Sequence, residues 1–167
     1  MISIDRLDSE IIGRLASHAR PGIAELAGAL GVARNTVQSR LRRLEESGVL
    51  AGLQPLIDLE SVGVAVQAFV ALELDQRRLA RVVEDLTEIA HVLEINTQAG
   101  RDDLLVRVAA PTHRDLQEAV TRMIEIEGVR HTVTTMIVST PLPLRTQPLL
   151  EHLTAQAGFG RSTPAPD

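Results

Sequence analysis

The residues of this chain best suited to chemistry lie between positions 34 and 43, in the run Arg34-Asn35-Thr36-Val37-Gln38-Ser39-Arg40-Leu41-Arg42-Arg43. Val37, Leu41 and Leu44 recur at i, i+4 and i+7, the stripe of a helix with one buried side. On the wheel this stripe sets, Asn35, Ser39 and Arg42 point away from the core. Gln38 and Arg43 flank them, and Arg34 stands at the N-terminal rim. Asn and Gln amides pair with adenine, and an Arg fork pairs with guanine, at the edges of the DNA major groove. Arginines farther along such a helix reach phosphates instead. The same pattern fits the solvated face of a helical bundle; DNA reading is the preferred interpretation. Arg40 lies beside the apolar stripe, where phosphate contact and pairing with a nearby acid are both open. The DNA-binding candidates are therefore Arg34, Asn35, Gln38, Ser39, Arg42, Arg43 and Arg40.

Other chemistry finds little support. There is no cysteine, which excludes thiol catalysis and thiolate-ligated zinc and fits a reducing cytoplasm. His18, His91, His113, His131 and His152 are scattered; His91 and His131 could meet only across strands. Asp102-Asp103 and Glu84-Asp85 are adjacent pairs, and adjacent strand residues face opposite ways. There is no phosphate-binding glycine loop and no nucleophile elbow. Two Phe and no Tyr or Trp disfavour single-strand or RNA binding by base stacking. No catalytic residue, metal site or cofactor is expected, and the chain is not read as an enzyme.

The net charge of −5 argues against indiscriminate nucleic-acid binding, but its distribution matters. Residues 1–53 hold seven Arg against six acids, and the remainder ten Arg against sixteen. No apolar run reaches the roughly 20 residues of a membrane helix. Met1-Ile2-Ser3-Ile4-Asp5 lacks the features of a signal peptide, so a cytoplasmic protein without membrane partners is expected.

Elements must hold these residues in place. Ile4, Leu7, Ile11, Ile12 and Leu15 predict a first helix, with Ser3 or Asp5 near its start as cap and a break at Arg20-Pro21-Gly22. A second helix spans about Ile23–Leu30 and ends at Gly31. The third runs from near Ala33, a poor cap, to about Ser47. Residues 51–64 read as a linker with a short strand. Beyond it come a strand at 66–74, a helix around Leu79–Ile89, strands at 91–98 and 103–109, a helix opened by Pro111-Thr112, and a strand from Val129 to Ser139. This β-α-β-β-α-β order is the ferredoxin-like pattern. A short helix is expected around 146–153 and a disordered tail from 156 to 167.

An ordered set of residues resembles the Lrp/AsnC (leucine-responsive/asparagine regulator) family of prokaryotic transcription factors. It comprises 4–12, Arg20, Glu25-Leu26-Ala27, Gly31-Val32, Thr36-Val37, Arg40-Leu41, Arg43-Leu44-Glu45, Gly48-Val49-Leu50, Asp58-Leu59, Gly63, Gly100 with Asp103, and Gly128-Val129 with Thr132. The resemblance implies an α+β chain: an N-terminal winged helix-turn-helix DNA-binding domain (1–50), the linker (51–64) and a C-terminal ferredoxin-like βαββαβ sensor domain (65–155). It implies a sequence-specific regulator of double-stranded DNA that forms a homodimer through its sheets and higher even oligomers. An amino acid or related metabolite would bind between dimers near the Gly-x-x-Asp turn. On that reading Gln98, Ala99, Gly100, Arg101 and Asp103 supply amides and an ammonium acceptor, and Thr132 and Thr134 add hydroxyls from a neighbouring subunit. A plain hairpin would use the same turn residues. The chain departs from the family at Ala33, where Ser is usual, and at Asp102 and Leu53, where aromatics are common. Two other readings share the architecture: a sirohaem-decarboxylase-like enzyme and an effector-free protein that wraps DNA.

Overall fold

The computed structural model describes residues 3–17 and 21–158. These divide into two compact units: the N-terminal segment to Pro55 together with the segment from Pro143, and Leu56–Leu142.

The first unit holds three helices in sequence, α1 (Arg6–Ser17), α2 (Ile23–Leu30) and α3 (Arg34–Glu46), and a C-terminal helix, α6 (Gln147–Thr154). Asp5 and Asp8 cap α1 reciprocally: the Asp8 amide donates to the Asp5 carboxylate and the Asp5 amide to that of Asp8, each at 3.0 Å. This is the capping-box arrangement with Asp at both positions. The α2–α3 turn rests on Gly31, whose φ of 64° is left-handed and open to glycine without a Cβ clash. Val32 then donates to Ala27 O at 3.1 Å, closing the C-terminus of α2. Leu7, Ile11, Leu26, Ala27, Val37 and Leu44 are buried. The expected break at Arg20 lies outside the described residues.

Two expectations fail here. Residues 51–64 contain no strand; the Asp58 carboxylate accepts from the Glu60 amide at 3.2 Å and the Ser61 hydroxyl at 2.5 Å, turning the chain instead. An extended apolar run becomes a strand only with a neighbour to pair with, and no described strand pairs with this one. The C-terminal helix, assigned by sequence to the sensor domain, packs on α1 of the first unit. Gln147 Nε2 donates to Ser9 O at 3.2 Å directly over Gly13, where an added Cβ would stand 2.6 Å from that nitrogen. The tail expected from 156 passes outside the described residues after 158.

The second unit is a four-stranded antiparallel sheet in the order β2-β3-β1-β4, with β1 Val66–Leu74, β2 Val92–Thr97, β3 Leu104–Ala110 and β4 Val129–Ile137. After β1, a 3-10 turn leads into α4 (Leu79–Thr87); α5 (His113–Ile124) precedes β4. Alternation decides the faces. Val66, Ala68, Val70, Leu72 and Leu74 of β1 and Leu104, Val106, Val108 and Ala110 of β3 are buried with Val82 and Leu86 of α4 and Leu116, Ala119 and Met123 of α5. The opposite face, with Gln67, Phe69 and Ala71, Leu105 and Arg107, and Val133 and Thr135, lies away from α4 and α5 and is half-buried to exposed. His91 precedes β2 and His131 lies on β4, the opposite edges of the sheet, so the two do not meet.

Candidate nucleic-acid interface and effector site

α3 starts after Ala33 with no side-chain cap, as its sequence predicts, so its first amides are not claimed by a side chain. Val37 and Leu44 are buried and Leu41 is half-buried. That burial leaves Asn35, Ser39 and Arg42 exposed on the opposite side of the helix, Gln38 exposed beside them and Arg34 exposed at the N-terminal rim. Five of the seven predicted DNA contacts are thus exposed, three of them opposite the buried stripe.

The other two are engaged elsewhere. Arg40 Nη1 donates to Asp5 Oδ2 at 2.5 Å and to Asp8 Oδ1 at 3.2 Å. Arg43 Nη2 donates to Asp8 Oδ2. The Asp8 side chain is 0% exposed and Arg40 15%, against 39% for Arg43. Of the two roles open to Arg40, its geometry is that of pairing with an acid. Burial pushes the Asp5 carboxyl up, but the Asp8 amide and then Arg40 outweigh it, and the group titrates below the usual aspartate range. The Asp8 pairing was missed from the sequence; the Asp5-x-x-Asp8 spacing signals a cap but not a partner on α3.

In the second unit, Gln98, Ala99, Gly100 and Arg101 are exposed, and an added Cβ at Gly100 would meet open space. Asp103 is tied in. Its carboxylate accepts from the Leu74 amide at 2.8 Å and Gln76 Nε2 at 3.0 Å, and its own amide donates to Leu72 O at 2.8 Å. The Leu74 amide, then Gln76, hold this carboxyl below its ordinary value. Two of about four acceptor positions on a carboxylate are thereby used. Thr132 pairs with Leu72 and Thr134 with Val70 on β1, so one strand separates them from the turn. Thr132 lines a cleft of about 170 Å³ with Ile124, Val129, Arg130 and His131. Within one chain the predicted effector residues fall into two groups at one end of the sheet, with β1 between them.

Comparison with known proteins matches both units. The AsnC-type helix-turn-helix domain matches residues 4–45 and the Lrp/AsnC ligand binding domain residues 67–146. An uncharacterized HTH-type transcriptional regulator of Pyrococcus horikoshii is 31% identical over 78% of this chain and 90% of its own. The fold is that of Escherichia coli AsnC, with a TM-score of 0.81 at 23% identity over 88% of this chain and 100% of the other. A Neisseria meningitidis transcriptional regulator solved in complex with L-Met superposes at 0.78, 20% identical over 88% and 99%. This chain belongs to the Lrp/AsnC family of transcriptional regulators, with a DNA-binding helix-turn-helix ahead of its ligand-binding domain.

Proposed function

We propose that the chain reads a specific double-stranded DNA sequence with the open face of α3, and that a small metabolite bound to its sheet domain modulates this. The observation that carries the reading is the exposure of Asn35, Ser39 and Arg42 opposite the buried Val37 and Leu44, with Gln38 beside them and Arg34 at the N-terminal rim. A helix in the major groove needs amide and guanidinium groups on its outward side. Alanine at Arg34, Gln38 or Arg42 should each cost about 1–3 kcal/mol of binding to a selected duplex. Unchanged affinity in all three variants would sink the assignment.

The open sheet face supports a homodimer, since Phe69, Ala71, Leu105 and Val133 form an apolar surface that a second sheet can bury. The family resemblance supports higher even oligomers as an extension of this dimer. An amino acid or related metabolite suits the exposed turn at 98–101 and the cleft beside Thr132. One family fold has been solved with L-Met, which supports this class of ligand. The two groups would form one site only when a neighbouring copy brings its threonines to the turn. A thermal-shift screen of amino acids tests this, with Gly100→Val and Thr132→Val as controls. Asp103→Ala is a poor control, because the carboxylate also fastens β1 to the turn. A shift that persists in both controls places the ligand elsewhere.

A further inference from the structure

The four charges at the junction of α1 and α3 have a consequence beyond capping. Asp5 and Asp8 hold Arg40 and Arg43 on the flank of α3, away from its open face. Asp8 is wholly buried, and Arg43 Nε is buried without a hydrogen-bond partner among the described residues. The guanidinium of Arg43 therefore lies against protein on one side and is held there by a single carboxylate. A buried carboxylate with two guanidinium partners is a fixed geometry, since breaking it strands a charge. Of the four arginines on α3, this leaves Arg34 and Arg42 for DNA.

We propose that Asp8 is a positioning residue that sets sequence specificity: by engaging Arg43 it keeps that guanidinium off the phosphate backbone, so that binding depends on groups that read bases. Phosphate attraction is blind to sequence, and each added contact strengthens non-specific binding and its salt dependence. A regulator with two of the four arginines of its recognition helix neutralised discriminates better than one with all four free. The net charge of −5 acts in the same direction. The inference rests on α3 facing the duplex, and the two can fail separately. An Arg42→Ala variant with unchanged affinity overturns the facing; the salt dependence below tests the clamp.

The experiment uses the full chain, a duplex selected from a random library by the wild type, and an unrelated duplex of equal length. Asp8→Asn keeps the size and capping ability of the side chain but removes its charge. Its binding to the unrelated duplex should tighten roughly five- to tenfold at about 0.1 M salt, and log K against log salt should steepen by about 1 per DNA-binding domain engaged. The preference for the selected duplex should fall by a similar factor. The same substitution made in Arg43→Gln should leave that slope where Arg43→Gln alone has it. A merely structural role predicts weaker binding to both duplexes with no steeper slope, and that result overturns the proposal. So does a steepening that survives in Arg43→Gln. If Asp8→Asn is unfolded by circular dichroism, Asp5→Asn with and without Arg40→Gln makes the same comparison through Arg40, with the same outcomes deciding.

Discussion

At the scale of single residues, carboxylates fasten elements within each unit. Asp5 caps α1 and holds Arg40, and its carboxyl titrates below its ordinary value. A group whose folded pKa is depressed contributes stability above its unfolded value, about 3.9 for Asp, and loses it as pH falls through the folded value. Asp5→Asn should therefore be less stable than wild type by a constant margin above about pH 5. The margin should close as acid protonates Asp5. Urea unfolding across a pH series measures it, and a margin that widens below pH 4 contradicts the sign. Asp103 has the same direction of shift, from the Leu74 amide first and Gln76 second. Its replacement by Ala should loosen the end of β1 even without ligand, visible as faster amide exchange at Leu74.

At the scale of elements, α5 has the fuller set of local devices. Thr112 accepts from the Asp115 amide at 3.2 Å, and Asp115 accepts from the Thr112 amide at 3.1 Å. Thr112→Ala should cost about 1 kcal/mol by chemical denaturation. α6 depends on a contact instead. Gln147 reaches Ser9 O across Gly13, where a Cβ would press on the flexible amide end. Gly13→Ala gains about 1 kcal/mol of helix propensity and forfeits a hydrogen bond worth about 0.5–1.5 kcal/mol. Its global stability should thus change little, while protease cleavage near α6 should accelerate. Unchanged cleavage would show that Gln147 does not fasten this helix.

At the scale of the whole molecule, α4 and α5 pack on one face of the sheet, and described residues of the other face stay exposed. Val133 is 46% exposed and pairs with Ala71, while Thr135 pairs with Phe69. A charge placed there should prevent burial of that face against a second copy. Val133→Asp is expected to lower the oligomeric state in light scattering without loss of far-ultraviolet helix and strand signal. An unchanged mass would locate the assembly surface elsewhere. The first unit takes in segments from both ends of the described chain, so removing α6 should lower the melting temperature of the helix-turn-helix while the 56–142 sheet keeps its own transition.

The sequence alone determined what depends on local repetition. A period of 3.6 residues in α3 separated Val37 and Leu44 from Gln38 and Arg42, and alternation with intervening helical stretches gave the β-α-β-β-α-β order. It also flagged the uncapped start of α3 at Ala33 and the turn at Gly31. Tertiary structure decided which distant group each charge meets. Arg43 and Asp8 are 35 positions apart, Asp103 and the Leu74 amide 29, and Gln147 and Ser9 138. No periodicity encodes such pairings. They exist because packing of apolar faces brings particular side chains within about 3 Å, where a hydrogen bond forms or fails over a few tenths of an ångström. The short strand expected at 51–64 failed for the same reason: a strand is a property of two segments, and sequence pattern describes one.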